Sequence, residues 1–186
     1  GLRGTSGDGN RTLWNTSISY PLMGSYWFIT PKITYSLTHY NDIKHARAEI
    51  DKSSTRSLPI YSLDTGLIFE RNSTVFGRET EQTLEPRLFY AYIPYRNQRH
   101  MPNFDSSSAD LNFAELFTPN KYTGFDRIAN TNQLSAVLTT RYIDSGTGKE
   151  WFSATVGQRY YFTDEKVDLY WSNPGKTKNR SDVLAA

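Results

Sequence analysis

The chain has 186 residues, with 21 basic against 19 acidic side chains, and a net charge of +2 singles out neither nucleic acid nor a strongly charged partner. It has no cysteine and only three histidines, His39, His45 and His100. That excludes a disulfide framework, a thiolate nucleophile and a Cys-built zinc site, and leaves too few imidazoles for a multi-histidine metal centre.

Aromatic residues, Thr, Ile and Val make up 62 of the 186 residues, a β-rich composition. A mean hydropathy of −0.62 argues against a large dry core. The amino terminus, Gly1-Leu2-Arg3-Gly4, lacks a signal-peptide pattern, which fits a mature chain, a cytosolic one or a piece of something longer. The longest uncharged run, Thr12 to Pro31, carries Asn15, three serines, Pro21 and Gly24, and is too polar for a helical membrane span.

Period-two alternation, the mark of a half-buried strand, recurs along the chain. A weaker strand, Trp14-Thr16-Ile18-Tyr20, comes first, then Ile33-Tyr35-Leu37-His39 opposed by Lys32-Thr34-Ser36-Thr38. Next, Tyr61-Leu63-Thr65-Leu67-Phe69 alternates with Ser62-Asp64-Gly66-Ile68-Glu70, and Leu84-Pro86-Leu88-Tyr90-Tyr92 with Thr83-Glu85-Arg87-Phe89-Ala91. Leu134-Ala136-Leu138-Thr140-Tyr142 then opposes Gln133-Ser135-Val137-Thr139-Arg141, and Trp151 to Phe162 repeats the theme with Gln158 and Arg159 near an aromatic end.

Short turn signals fall at Pro21 to Gly24, Ser145 to Gly148 and Asp164 to Lys166, and long connections at Asn41 to Ser57 and Arg96 to Phe125. Short turns at one end and long loops at the other, joined by strands longer than soluble sheets use, point to an outer-membrane type of barrel. Aromatics at the ends of the runs, Tyr26-Trp27-Phe28, Tyr90, Tyr92, Tyr95, Tyr160-Tyr161-Phe162 and Tyr170-Trp171, read either as an interfacial girdle or as ordinary strand residues.

The stretch Thr83-Leu84-Glu85-Pro86-Arg87-Leu88-Phe89-Tyr90, with Tyr92-Ile93-Pro94-Tyr95-Arg96-Asn97-Gln98 after it, resembles the LEPRL(F/Y)Y and (V/I)PYR(N/D)Q signature of the LptD family of outer-membrane LPS-assembly proteins. Asn103-Phe104-Asp105, Phe125-Asp126-Arg127-Ile128, Asn132-Gln133, Thr139-Thr140-Arg141 and Val156 to Phe162 are similar to the family's long loop and following strands. Pro31-Lys32-Ile33 and Leu58 to Asp64 extend the likeness upstream, so that it covers roughly residues 25 to 165. It implies an all-β fold: an antiparallel transmembrane β-barrel segment of seven or eight long strands, residues 1–186 forming part of a larger barrel of about 26 strands, with 96–125 a long surface or lumen loop. The resemblance further implies lipopolysaccharide as cargo, the Gram-negative outer membrane and its lipids as surroundings, and LptE, the plug lipoprotein, as partner. The barrel assembly machinery, and the periplasmic bridge protein LptA acting through an N-terminal domain not present here, are implied partners too. As a middle segment, the chain is not expected to contain the lateral gate between the family's first and last strands.

In such a barrel the alternation assigns Asp64, Glu70, Glu85, Arg87, Gln133 and Arg141 to a wet lumen. There they either pair across strands, Glu85 and Arg87 with partners such as Asp64 or Arg141, or contact the phosphates and sugars of lipopolysaccharide. Asp126 and Arg127, where the long segment returns to sheet, fasten it by a local ion pair or by ordinary capping, and Phe104, Phe113, Leu116 and Phe117 are candidate anchors for it. No nucleophile elbow, phosphate-binding glycine motif or metal-ligand spacing occurs, so no catalytic residue, metal or cofactor is expected. Asn10, Asn15 and Asn72 head chance glycosylation patterns, and nucleic-acid binding is disfavoured, the basic Lys176 to Arg180 reading as a loop tip. The alternative is a soluble β-sandwich binding carbohydrate on Trp14, Trp27, Trp151 and Trp171.

Overall fold

The computed structural model of the protein describes residues 2–4, 7–44, 48, 50–75, 77–169 and 179–186, with backbone alone for 2–4 and 7. His45, Tyr170, Trp171 and the Lys176 to Lys178 part of the basic stretch lie outside the described residues.

Among the described residues ten strands form one antiparallel sheet: β1 (Leu2–Gly4), β2 (Gly7–Ser19), β3 (Leu22–Met23), β4 (Trp27–Lys44), β5 (Ser54–Leu67), β6 (Phe69–Val75), β7 (Arg78–Ile93), β8 (Thr131–Asp144), β9 (Glu150–Tyr161) and β10 (Leu184–Ala185). The neighbour order is β1-β2-β4-β5-β7-β8-β9-β10, with β3 pairing β4 and β6 pairing β7. The sheet is thus an open meander of eight positions, in keeping with the seven or eight strands expected, with the two outer ones, β1 and β10, only three and two residues long. The second layer that a sandwich requires is missing from the described residues.

Short turns join β3 to β4, β6 to β7 and β8 to β9, and Gly77 and Gly148 supply the positive φ that two of them require. The opposite end carries the 45–53, 94–130 and 162–183 connections. The first is shorter than the sequence suggests, because β4 continues past a bulge at Asp42, whose φ of 55° turns Ile43 inward against Tyr40 and Met101. The Asp164 to Lys166 turn does not lead into another strand at once: Val167 and Leu169 instead bury against Tyr122 and Ala129.

The two faces differ in kind. Register carries Ile18, Ile33, Tyr61 and Tyr92 along one face, and Trp27, Leu67, Pro86, Leu138 and Val156 along another row of it. Nearly all of these side chains are exposed to an extent that water would penalise. On several strands aromatics bound a mainly apolar stretch of this face: Trp27 to Tyr35 on β4, Tyr61 to Phe69 across β5 and β6 with Thr65 between, and Phe152 to Tyr160 on β9 with Gln158 between. Such a span is about 26 Å along a strand, or about 20 Å of height at a tilt near 40°, commensurate with the apolar band of an outer-membrane barrel and its girdles.

Candidate functional site

Opposite side chains of an antiparallel pair share a face, so the register fixes the polar one. Along β5, β7, β8 and β9 it aligns Gly66, Arg87, Val137 and Gly157 in one row and Glu85, Thr139 and Thr155 in the next. Diagonal neighbours then meet. The Arg87 guanidinium grips Asp64 with two bonds, Nε to Oδ1 at 2.9 Å and Nη2 to Oδ2 at 2.6 Å. Arg141 donates to Glu85 at 3.1 Å and to Glu150 at 2.9 Å. These pairs are half wet, and each contributes about 0 to 1 kcal/mol. They keep charges paired along the polar face, which is a positional role more than an energetic one. Glu70 stands opposite Thr83 on the same face, exposed on β6.

The 94–130 connection, which contains the 96–125 segment, lies against this polar face. A single 3₁₀ turn, Glu115–Phe117, delivers its anchors. Leu116 is fully buried over Gly157, where any side chain would collide with it. Phe117 stacks under the Arg87 guanidinium at 3.8 Å and meets Phe89 edge-on. Arg159, buried on β9, donates to the carbonyls of Glu115 and Thr118 and to the Ser135 hydroxyl, and Gln133 donates to the Thr118 carbonyl at 3.1 Å. Beside these anchors a cleft of about 360 Å³ stays open, lined by Phe28, Glu85, Arg87, Phe113, Phe117 and Arg141 among others.

The other end of the connection is held by a buried polar clasp. Asp126, with no exposed surface, accepts from Arg11 Nη1 at 2.8 Å and the Tyr40 hydroxyl at 2.7 Å through one oxygen. Its other oxygen caps the backbone N–H groups of Phe104 and Asp105 at 2.6 and 2.9 Å. Arg56 on β5 donates to Gln98, Thr38 and the carbonyls of Phe125 and Asp126. Arg127 donates to the carbonyls of Met101, Pro102 and Asp126. The Asp126 carboxylate therefore reaches Arg11, 115 residues away in sequence, and caps backbone amides as well.

Burial opposes the charge on Asp105, yet hydrogen bonds from Arg11 and the Phe125 N–H outweigh it and hold the carboxyl at about 2. Burial pushes the Arg127 guanidinium down to about 10, so it stays charged at neutral pH. Burial, then the nearby Glu165 charge, pushes the Tyr122 phenol up, and it remains a donor to Glu165 and to the Val167 carbonyl.

The eight residues singled out in the sequence fall into two groups. Asp64 with Arg87 and Glu85 with Arg141 form two diagonal ion pairs on the polar face, with Glu70 nearby. Gln133, Asp126 and Arg127 hold the long connection. Sequence reasoning missed Arg11, Tyr40, Arg56 and Gln98, and noticed Arg159 without its partners; one signal was available, a strand arginine at Arg56 flanked by small polar residues on a face otherwise facing inward. Among the described residues no group of three or more His, Asp or Glu side chains is placed to hold a metal ion. The arrangement can stack, pair charges and exclude or admit solvent.

An open antiparallel meander with an aromatic-bounded apolar face, a charge-paired polar face and long loops at one end is a segment of a transmembrane-type β-barrel. The model of the family described as LptD, LPS transport system D, matches residues 3–186, and the chain belongs to that family. It is 43% identical over 182 residues to the LPS-assembly protein LptD of Paraburkholderia xenovorans, covering 95% of this chain and 23% of that protein. Against the namesake from Aromatoleum aromaticum the identity is 46% over 179 residues, 96% of this chain and 22% of the relative, and against that from Thiobacillus denitrificans 41% over 182 residues, 98% and 24%. The chain therefore spans about a quarter of the length of the curated relatives it matches.

Proposed function

We propose that this chain is a wall segment of an outer-membrane translocon that assembles lipopolysaccharide into the outer leaflet, working by shape and surface chemistry without covalent steps. The observation that carries the reading is the two-faced sheet: an apolar, aromatic-edged face suited to lipid, and a face where Asp64, Glu85, Arg87 and Arg141 are paired for a wet interior. Family membership, with relatives named for LPS assembly, supplies the cargo.

In this reading the protein sits in the outer membrane of a Gram-negative bacterium, among its lipids, with the short turns on the periplasmic side and the 94–130 loop on the outer side. The missing strands come from the remainder of a longer chain. LptE fills the lumen as plug, LptA meets the protein through an N-terminal domain, and the barrel assembly machinery inserts it. Glu70, Glu85, Arg87 and Arg141, which border open space, are the residues left for contact with cargo or plug; Asp126, Arg127 and Gln133 are committed to the loop.

Depletion of the full-length protein in living cells tests this. The expected result is loss of newly made lipopolysaccharide from the cell surface while other outer-membrane barrels persist. Unchanged surface lipopolysaccharide would overturn the reading.

A further inference from the structure

The 94–130 connection touches the polar face of every long strand in the sheet. Its clasp engages Arg11 on β2, Thr38 and Tyr40 on β4 and Arg56 on β5, directly or through one shared side chain. Its 3₁₀ end engages Arg87 and Phe89 on β7, Gln133 on β8, and Gly157 and Arg159 on β9. We propose that this connection is an internal brace that docks as one cooperative unit and holds β2 to β9 as a rigid wall.

Three features support a brace over a merely covering loop. The contacts at both ends are buried: Asp126, Tyr40 and Leu116 expose nothing, and Arg56, Arg127, Gln98 and Arg159 expose 2% or less. Guanidinium groups in such places are costly unless they are hydrogen-bonded, and Arg56 on β5 spends both Nη groups, and Arg159 on β9 its Nη2, on partners within this connection, so displacing the brace would break those bonds together. The anchors also sit on strands at both sides of the meander, and so a hinge between β5 and β7 would have to break one end. The inference rests on the fold and its contacts and is independent of the cargo.

The test uses the full-length protein in outer-membrane lipids, with Leu116→Cys as a reporter read peptide by peptide by mass spectrometry after a pulse of membrane-impermeant maleimide. In an otherwise unchanged protein the thiol is expected to be protected. Asp126→Asn, which strikes only the clasp, is expected to speed labelling at the distant 3₁₀ end by tenfold or more, and Tyr40→Phe, which removes one hydroxyl and keeps the ring, by severalfold. If Asp126→Asn does not assemble, Tyr40→Phe decides. Labelling that stays at the starting rate in the variants that assemble would show that the two ends dock independently, and the brace would be abandoned.

Discussion

Leu88 lies on the apolar face of β7, opposite Thr65 and Ala136, and Thr65 is midway between the aromatic ends Tyr61 and Phe69. At 43% exposure it has few protein neighbours to lose, so in water Leu88→Arg would be mild. In a bilayer the same change puts a guanidinium near the midplane of the hydrocarbon, where the cost is about 2 to 4 kcal/mol, or about 30- to 700-fold in the folding equilibrium. Thr155→Arg is the matched control, because Thr155 borders the open cleft on the polar face close to Glu85 in register. The full-length protein folded into phospholipid vesicles and titrated with urea gives both numbers. Leu88→Arg is expected to lose at least 2 kcal/mol and Thr155→Arg less than about 1 kcal/mol. Equal costs on the two faces, or the reverse order, would refute the assignment of faces.

Gly157→Ala would place a Cβ 2.7 Å from Leu116 Cδ1 and 3.0 Å from Val137 Cγ2; a loss of about 1 to 3 kcal/mol is expected, largely recovered by adding Leu116→Ala, with urea midpoints as the readout. Arg159→Leu strips the donors from the Glu115 and Thr118 carbonyls, so a loss of about 2 kcal/mol and faster hydrogen exchange at 115–118 are expected, and unchanged exchange there would remove Arg159 from the anchor. Because the Asp105 carboxyl lies at about 2 in the folded chain against 3.8 ordinarily, its stabilisation is complete above the ordinary value and is lost as pH falls through about 2. Proteolytic resistance of the 94–130 loop should therefore be flat from pH 9 to 5 and decline only below 4; a decline starting near pH 6 would point to another group.

The strands were legible because an apolar face and a polar face impose a period of two, and pairs such as Asp64 with Arg87 follow once the faces are assigned. Strand ends were less so: β4 runs on through polar Asn41 and Lys44 because loop residues such as Met101 pack against it there. Val167 and Leu169 alternate like a strand but serve as plugs beneath Tyr122. The clasp could not be read from local pattern, since Arg56 reaches the carbonyl of a residue 70 positions away and Gln98 that of one 30 away. A lone strand arginine facing inward looks the same in sequence whether it meets water or a buried carbonyl.

The most direct measurement is a spin-label scan of positions 84 to 92 on β7 in the full-length protein, reconstituted in outer-membrane lipids, with oxygen as the lipid-phase relaxant and a nickel chelate as the aqueous one. Oxygen accessibility is expected to peak at Leu84, Pro86, Leu88, Tyr90 and Tyr92 and to fall at Glu85, Arg87, Phe89 and Ala91 between them. A flat profile, or nickel accessibility at the positions of the apolar face, would contradict the membrane wall and with it the proposed role in lipopolysaccharide assembly.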